Sequence, residues 1–266
     1  MNDIKADWRE YDAVALIEDN TVSNLQCSTS NPNCGPTNAW SIGVLLSNAD
    51  GTTAVLNNRI QGADGNLYVA GNGGQAYAIS GNQISNGTYA NVAATGITLN
   101  MVNNTLTGGP VGLMASGDTT ATVVSLNGGN VITGASIDGI QAFADAAPVT
   151  VSGSRNQFVG NGAGASNPAT PPGVTLDLPC NWWGAVTGPI HGDNPRGSGN
   201  AVTDNVAYIN WAIDNTVFSC IGNPARNELL ANPPAPVPAN QAWALIVSAM
   251  ALAGAGMGAL RRRRAG

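Results

Sequence analysis

Gly81-Asn82-Gln83-Ile84, Asn103-Asn104-Thr105-Leu106, Gly129-Asn130-Val131-Ile132 and Arg155-Asn156-Gln157-Phe158 are four copies of one phrase, and their reading decides the fold. Each sets an asparagine two places ahead of a large apolar residue. Asp19-Asn20-Thr21-Val22 and Asn57-Asn58-Arg59-Ile60 extend the series towards the N-terminus. After a wider first gap from Asn20 to Asn58, the asparagines recur at Asn82, Asn104, Asn130 and Asn156 with nearly even spacing. A glycine followed by an aliphatic residue precedes most copies, at Gly43-Val44, Gly96-Ile97, Gly112-Leu113 and Gly139-Ile140, and Gly173-Val174 precedes Asn181. A period of roughly 22 to 26 residues is that of a solenoid, one coil per repeat.

Two solenoids compete at this length. A leucine-rich repeat needs leucines at fixed offsets, which these repeats lack. A parallel β-helix fits better, because no stretch between residues 11 and 220 reads as a helix and short apolar runs alternate with Gly/Asn/Ser turns. The aliphatic residues expected to point inward in rows are Val44, Val55, Ile79, Ile84, Ile97, Leu99, Leu106, Leu113, Val123, Leu126, Ile132, Ile140, Val151 and Phe158. Asparagine suits the turns for two reasons: it tolerates the left-handed backbone region, and its amide can bond backbone groups of the same or the next coil. The segments 31–40 and 163–172 interrupt the period and are expected to bulge from the stack.

The 266 residues carry ten basic and 16 acidic side chains, and four of the basic ones are Arg261, Arg262, Arg263 and Arg264. The other six form no cluster, which argues against nucleic acid as a partner, since phosphate binding needs a concentrated positive surface. Charged residues make up only 10% of the chain, so polarity rests on Asn, Ser, Thr and Gly. The four cysteines fall into two pairs, Cys27 with Cys34 and Cys180 with Cys220. Two disulfides would suit an oxidising compartment; free thiols and a metal site are the alternatives. Zinc is disfavoured because His191 is the only histidine and no CxxC spacing is present. No cofactor signature appears.

The two ends of the chain point in different directions. Residues 1–10 lack the apolar core of a secretory signal, and the expectation is an irregular start of a fragment whose N-terminal part is missing. Residues 222–240 read as a Pro-rich linker. From Ala242 to Leu260 runs an uncharged apolar stretch just long enough to cross a hydrocarbon core of about 30 Å, followed by the four arginines. Residues 241–266 are therefore expected to form one hydrophobic helix that spans or anchors to a membrane through 242–260, with its arginines on the cytoplasmic side.

Residues 11–221 are expected to form the parallel β-helix with its C-terminal cap, and over roughly 11–217 the chain resembles the right-handed parallel β-helix, or pectate-lyase-like, superfamily. The likeness is most specific at Cys180-Asn181-Trp182-Trp183-Gly184-Ala185-Val186-Thr187-Gly188-Pro189, followed by a Gly-rich loop and a short final strand near Trp211. The resemblance implies an all-β solenoid closed by this element: Trp182 and Trp183 would cover its end, Gly184 and Gly188 would allow tight turns, and a Cys180–Cys220 bond would pin the cap. A sugar-stacking platform is the competing role for the tryptophans. Val237, Pro238 and Trp243, with Arg261 to Arg264, resemble the IPTL-type C-terminal sorting signals of Gram-negative bacteria, although Ala239 and Asn240 depart from the pattern. That resemblance implies an exosortase-like processing partner, export, an inner-membrane-anchored intermediate, and a final place at the cell surface or outside the cell.

Relatives of this fold include polysaccharide lyases and hydrolases, so catalysis must be weighed. Glycosidases need two carboxylates roughly 5 to 9.5 Å apart. Asp118 and Asp145, close to one period apart, have the best offset for neighbouring coils, and Arg155 is the nearest basic residue in sequence. His191 reads as a loop residue rather than a base. The reading is a non-catalytic β-helix module, adhesin-like or matrix-associated, with a carbohydrate or host surface as partner. A carbohydrate-active enzyme and a carbohydrate-binding module are the alternatives. Aligned carboxylates at a groove would favour the enzyme, and a smooth Asn/Ser/Thr surface would favour binding or structural work.

Overall fold

The computed structural model describes residues 16–25, 41–48, 52–167 and 173–224. Within them the repeat becomes six three-stranded coils. The first is β1 (Leu16–Glu18), β2 (Thr21–Ser23) and β3 (Ile42–Ser47). The second is β4 (Thr52–Leu56), β5 (Arg59–Gln61) and β6 (Gly65–Ala70). The third is β7 (Ala76–Ser80), β8 (Gln83–Ser85) and β9 (Ala90–Thr95). The fourth is β10 (Thr98–Val102), β11 (Thr105–Thr107) and β12 (Val111–Gly117). The fifth is β13 (Thr122–Leu126), β14 (Val131–Thr133) and β15 (Asp138–Ala144). The sixth is β16 (Val149–Gly153), β17 (Gln157–Val159) and β18 (Ala163–Ser166), after which β19 (Val174–Asp177) and β20 (Val206–Ala207) continue the first sheet.

Strands of the same place in successive coils pair in parallel, giving three sheets of eight, six and six strands. The fold is thus an all-β parallel solenoid. Its interior is a stack of rows. One runs Val22, Ile60, Ile84, Leu106, Ile132, Phe158 through the second sheet, and another runs Val44, Leu67, Val92, Leu113, Ile140, Ala165 through the third. From the second coil onward these residues are fully buried. Each large side chain among them contributes about 1.5–3 kcal/mol of burial.

Of the expected inward residues, Val123 alone faces the wrong way. It is exposed, and Val124 is fully buried in its place. Side chains alternate along a strand, so Leu126 pointing inward forces Val124 inward and Val123 out. Val124 stacks between Leu99 and Val151.

The turn asparagines form a continuous ladder. Asn20, Asn58, Asn82, Asn104, Asn130, Asn156 and Asn181 lie one above the next. From Asn58 onward, each Oδ1 accepts both the backbone N–H and the Nδ2 of the asparagine one coil earlier. Nδ2 also reaches a first-sheet carbonyl of the preceding coil, as from Asn82 to Val55, Asn104 to Ile79, Asn130 to Met101 and Asn156 to Leu126. The ladder residues from Asn58 to Asn181 are buried, so these bonds satisfy groups that would otherwise be stranded.

Only one of the two reasons for asparagine at these positions holds. The left-handed backbone falls on the residue just before each ladder asparagine: Asp19, Asn57, Gly81, Asn103, Gly129, Arg155 and Cys180 have φ between 53° and 69°. The ladder asparagines themselves are present for their amides.

The solenoid ends in a cap. Trp183 is fully buried and stacks on Phe158, the last residue of the second-sheet core row, with ring centroids 4.6 Å apart. Gly188, at φ 77°, lies under Trp211, where a Cβ would come within 2.4 Å of the indole. Cys180 and Cys220 are bonded, with Cα atoms 5.0 Å apart. Cys27 and Cys34 lie outside the described residues.

The expectation of a membrane helix is corrected. Among the described residues no helix is long and apolar enough to cross a membrane, because the chain there is committed to short strands. Residues 242–260, on which a transmembrane span, a membrane partner and an inner-membrane-anchored stage depended, lie outside the described residues, as do Val237, Pro238, Trp243, Arg261, Arg262, Arg263, Arg264 and the linker beyond Pro224.

Candidate functional site

The outer face of the first sheet is a regular surface of the solenoid. Because the strands pair without a bulge, outward residues fall into straight rows. One runs Ala76, Thr98, Val123, Thr150, Thr175. Beside it runs Ala54, Ala78, Asn100, Ser125, Ser152. Neighbouring members of a row are separated by the strand spacing of about 4.8 Å. None of these side chains is charged; Asp177 closes the second row at one end. All are short, so the face is flat, and they range from half-buried to exposed. Chemically it offers ranks of hydroxyls and one amide with methyl groups between them.

The acids singled out from the sequence lie elsewhere. Asp118 follows the last residue of β12 and Asp145 the last residue of β15, and those last residues, Gly117 and Ala144, pair in register. The two aspartates therefore hold corresponding places on successive coils, at the corner between third and first sheets, and both are exposed. Arg155 is not with them. It sits in the left-handed position just before Asn156, at the corner between first and second sheets. Sequence distance misled here because a short advance along a coil carries a residue to a different corner.

Three polar sites were not foreseen. Asp138, at the start of β15, is 6% exposed and accepts from Gln141 Nε2 at 3.1 Å. Burial pushes its carboxyl above the usual carboxylate range, against the hydrogen bond from Gln141. At Asp64, burial also pushes upward, but hydrogen bonds from Thr88, from the Ser41 amide and from the Ser41 hydroxyl prevail and hold the carboxyl below its ordinary value.

The third site lies in the cap and includes His191. Its side chain is 8% exposed; Nδ1 accepts the Asp193 amide at 3.1 Å and lies 3.2 Å from the Tyr208 hydroxyl, while Asp204 Oδ1 stands 3.2 Å from Nε2. A backbone amide can only donate, so Nδ1 is the acceptor in its contact with Asp193. Burial and the Asp193 charge push the Tyr208 hydroxyl above its ordinary value. Tyr208 is itself buried, whereas the Asp193 and Asp204 side chains are exposed. Proximity of Asp204 and Tyr208 to His191 was illegible in sequence, because an irregular loop without a repeat lies between them.

Of the cap tryptophans, Trp183 is unavailable to any sugar, being fully buried, and Trp182 is half-buried on the outer face of the second sheet beside Gln157. No group of three or more His, Cys, Asp or Glu among the described residues could hold a metal ion. Comparison with protein-family models, with curated proteins and with solved structures finds no match. Fold and surface together therefore define a class, a capped three-sheet parallel β-solenoid whose first-sheet face carries rows of short hydroxyl and methyl side chains between exposed Glu18 and Asp177, and no particular relative narrows it further.

Proposed function

We propose that this protein is a non-catalytic β-solenoid binding module whose first-sheet face engages an extended, uncharged polymer, a neutral polysaccharide being the best fit. The observation that carries this reading is the unbroken register of Thr98, Thr150 and Thr175 beside Asn100, Ser125 and Ser152. Hydroxyl and amide groups on a rigid repeat can hydrogen-bond a repeating polyol with little loss of side-chain entropy. Asp177 is the one charge in the two rows and is itself acidic, which argues against a uronic-acid polymer. Resemblance of the Asn181-Trp182-Trp183-Gly184 element to that of right-handed, pectate-lyase-like β-helices supports a carbohydrate-associated role.

Retention of the full chain on insoluble neutral polysaccharides, compared with a uronic-acid polymer, tests this. Binding should persist between about 0.05 and 0.5 M salt, since no ion pairs are involved. Thr150→Lys and Ser125→Glu should abolish it. Equal retention of both variants would exclude the face as the site.

A second reading, a carbohydrate-active enzyme, draws on Asp118 and Asp145. Their corresponding places on adjacent coils are compatible with the separation of about 5 to 5.5 Å of a retaining carboxylate pair. Product released from a polysaccharide, and lost in Asp118→Asn and Asp145→Asn, would establish that reading and displace the first.

A further inference from the structure

An asparagine stands directly before a glycine at Asn72-Gly73, Asn86-Gly87, Asn127-Gly128 and Asn161-Gly162. Such a pair is chemically fragile, because a residue without a Cβ leaves its amide nitrogen unshielded and free to swing towards the asparagine side chain. The nitrogen can react only while its N–H is not engaged. In three of the pairs it is engaged. Gly73 donates to the Gly96 carbonyl at 3.0 Å, Gly87 to Asn91 Oδ1 at 3.0 Å, and Gly162 to the Ala135 carbonyl at 2.9 Å. Asn161 is also buried, with its amide bonded to the Ile132 carbonyl and to Asn200.

Gly128 differs. Its N–H has no acceptor among the described residues, and the Asn127 side chain is exposed and has no hydrogen-bond partner among them. The cause is a bulge. Met101, Leu126 and Gly153 are paired in register on successive coils. The ladder asparagine follows three places later at Asn104 and Asn156, but four places later at Asn130. The fifth coil thus holds one more residue at this corner than its neighbours, and an extra residue is left unpaired. The groups around it are all used: Asn127 N–H donates to the Met101 carbonyl, Gly129 N–H to the Arg155 carbonyl, and the Gly128 carbonyl accepts from Asn103 N–H. Gly128 N–H is left over, on backbone at φ 89°.

We propose that Asn127 is a modification site at which the protein deamidates without an enzyme. Solvent hydroxide removes the Gly128 amide proton, and the nitrogen attacks Asn127 Cγ. The new N–Cγ bond closes a five-membered imide while the Cγ–Nδ2 bond breaks, and Nδ2 takes up a proton from water and departs as ammonia. Water then opens the ring. Attack at Cγ gives aspartate, and attack at the main-chain carbonyl gives isoaspartate, whose backbone is one carbon longer. Water is the only co-reactant. Either product puts a carboxylate at the corner between the first and second sheets. Isoaspartate also lengthens the chain beside the Gly128 carbonyl, which holds Asn103 and Asn130.

Incubation of the full chain at mildly alkaline pH, followed by peptide mapping with mass spectrometry, tests this. The Asn127 peptide should gain about 1 Da. It should do so at least about ten-fold faster than the peptides of Asn72, Asn86 and Asn161, whose glycine amides react only after local opening. Asn72-Gly73-Gly74 is the sharpest control, since it repeats the Asn-Gly-Gly of residues 127–129. In denaturing urea every amide is freed, and the four rates should converge to within about three-fold. Deleting Gly128 keeps an Asn-Gly pair, Asn127 now preceding Gly129, but removes the extra residue. Deamidation should then slow by about ten-fold or more in protein whose far-ultraviolet spectrum is unchanged. The urea comparison decides the matter where the deletion variant does not fold. Equal rates at the four sites in the native protein, a ranking that persists in urea, or undiminished deamidation in the folded deletion variant would each overturn the proposal.

Discussion

The coils from Thr52 to Ser166 and the cap from Trp182 to Gly222 bury polar groups in different ways. In the coils, Asn58, Asn82, Asn104, Asn130 and Asn156 meet their own kind above and below, and one geometry is used repeatedly. In the cap, contacts have no copy. His191 meets Tyr208, Trp211 Nε1 donates to the Val186 carbonyl, and the Asp214 carboxylate gathers the amides of Thr216, Val217, Phe218 and Ser219. Those amides hold Asp214 far below the ordinary carboxylate range. A repeated contact is cooperative along the stack but gives no way to stop. The cap stops the stack with single-use contacts and a covalent bond.

This contrast can be broken first at the disulfide. Cys180 and Cys220 are separated by 40 in sequence, and replacing both by serine reopens that loop, for which chain entropy gives a loss of about 4 kcal/mol. Denaturation should show the cap loosening, with near-ultraviolet signals of Trp183 and Trp211 lost before the far-ultraviolet strand signal. A single simultaneous transition would mean that cap and coils are one cooperative unit. Next in size is Asn104→Leu, which removes a buried amide bonded to Asn130, Ile79 and Val102 and strands the Asn82 donors. A loss of roughly 3 kcal/mol is expected from these unsatisfied groups, measured by urea unfolding. A loss below about 1 kcal/mol would show that the rungs are dispensable.

Arg155→Gly should act in the other direction. Arg155 holds φ 60°, a region that costs a side chain about 1 kcal/mol, and glycine already serves at the equivalent Gly81 and Gly129. The variant should unfold at higher urea, by up to about 1 kcal/mol, without changing the far-ultraviolet spectrum. The smallest effect is expected at Asp138. Its raised folded value means the protonated form is favoured in the native state, so its contribution is present below the unfolded value near 3.9 and lost as pH rises through the folded one. Asp138→Asn should therefore raise the melting temperature slightly at neutral pH and leave it unchanged at pH 3. A fall at neutral pH would show that the carboxylate is needed ionised.

Much of the coil region was legible because its signal is repeated. A spacing of about 22 to 26 residues, met several times, outweighs any ambiguity in a single strand. Where the signal occurs once, reading becomes harder. Val123 and Val124 are equal as residues, and only the parity set by Leu126 separates them. Asp118 and Asp145 were matched to neighbouring coils by their offset, yet Arg155 was misplaced, because the stretch from Asp145 to Arg155 crosses β16 and reaches another corner. The outer face of the first sheet was invisible in sequence, since Thr98, Val123, Thr150 and Thr175 become a row only through pairing.

The sequence by itself determined the period, the solenoid class, the asparagine corner and the terminal Trp-Trp element, because each depends on local spacing and on residue types with few alternatives. Tertiary structure decided which valine enters the core, that Trp183 is sealed while Trp182 is half-buried, and that His191 joins Asp204 and Tyr208. Those outcomes depend on what lies one coil away. In a parallel stack that neighbour is set by hydrogen-bond register between strands a full period apart, not by the residues beside it in the chain.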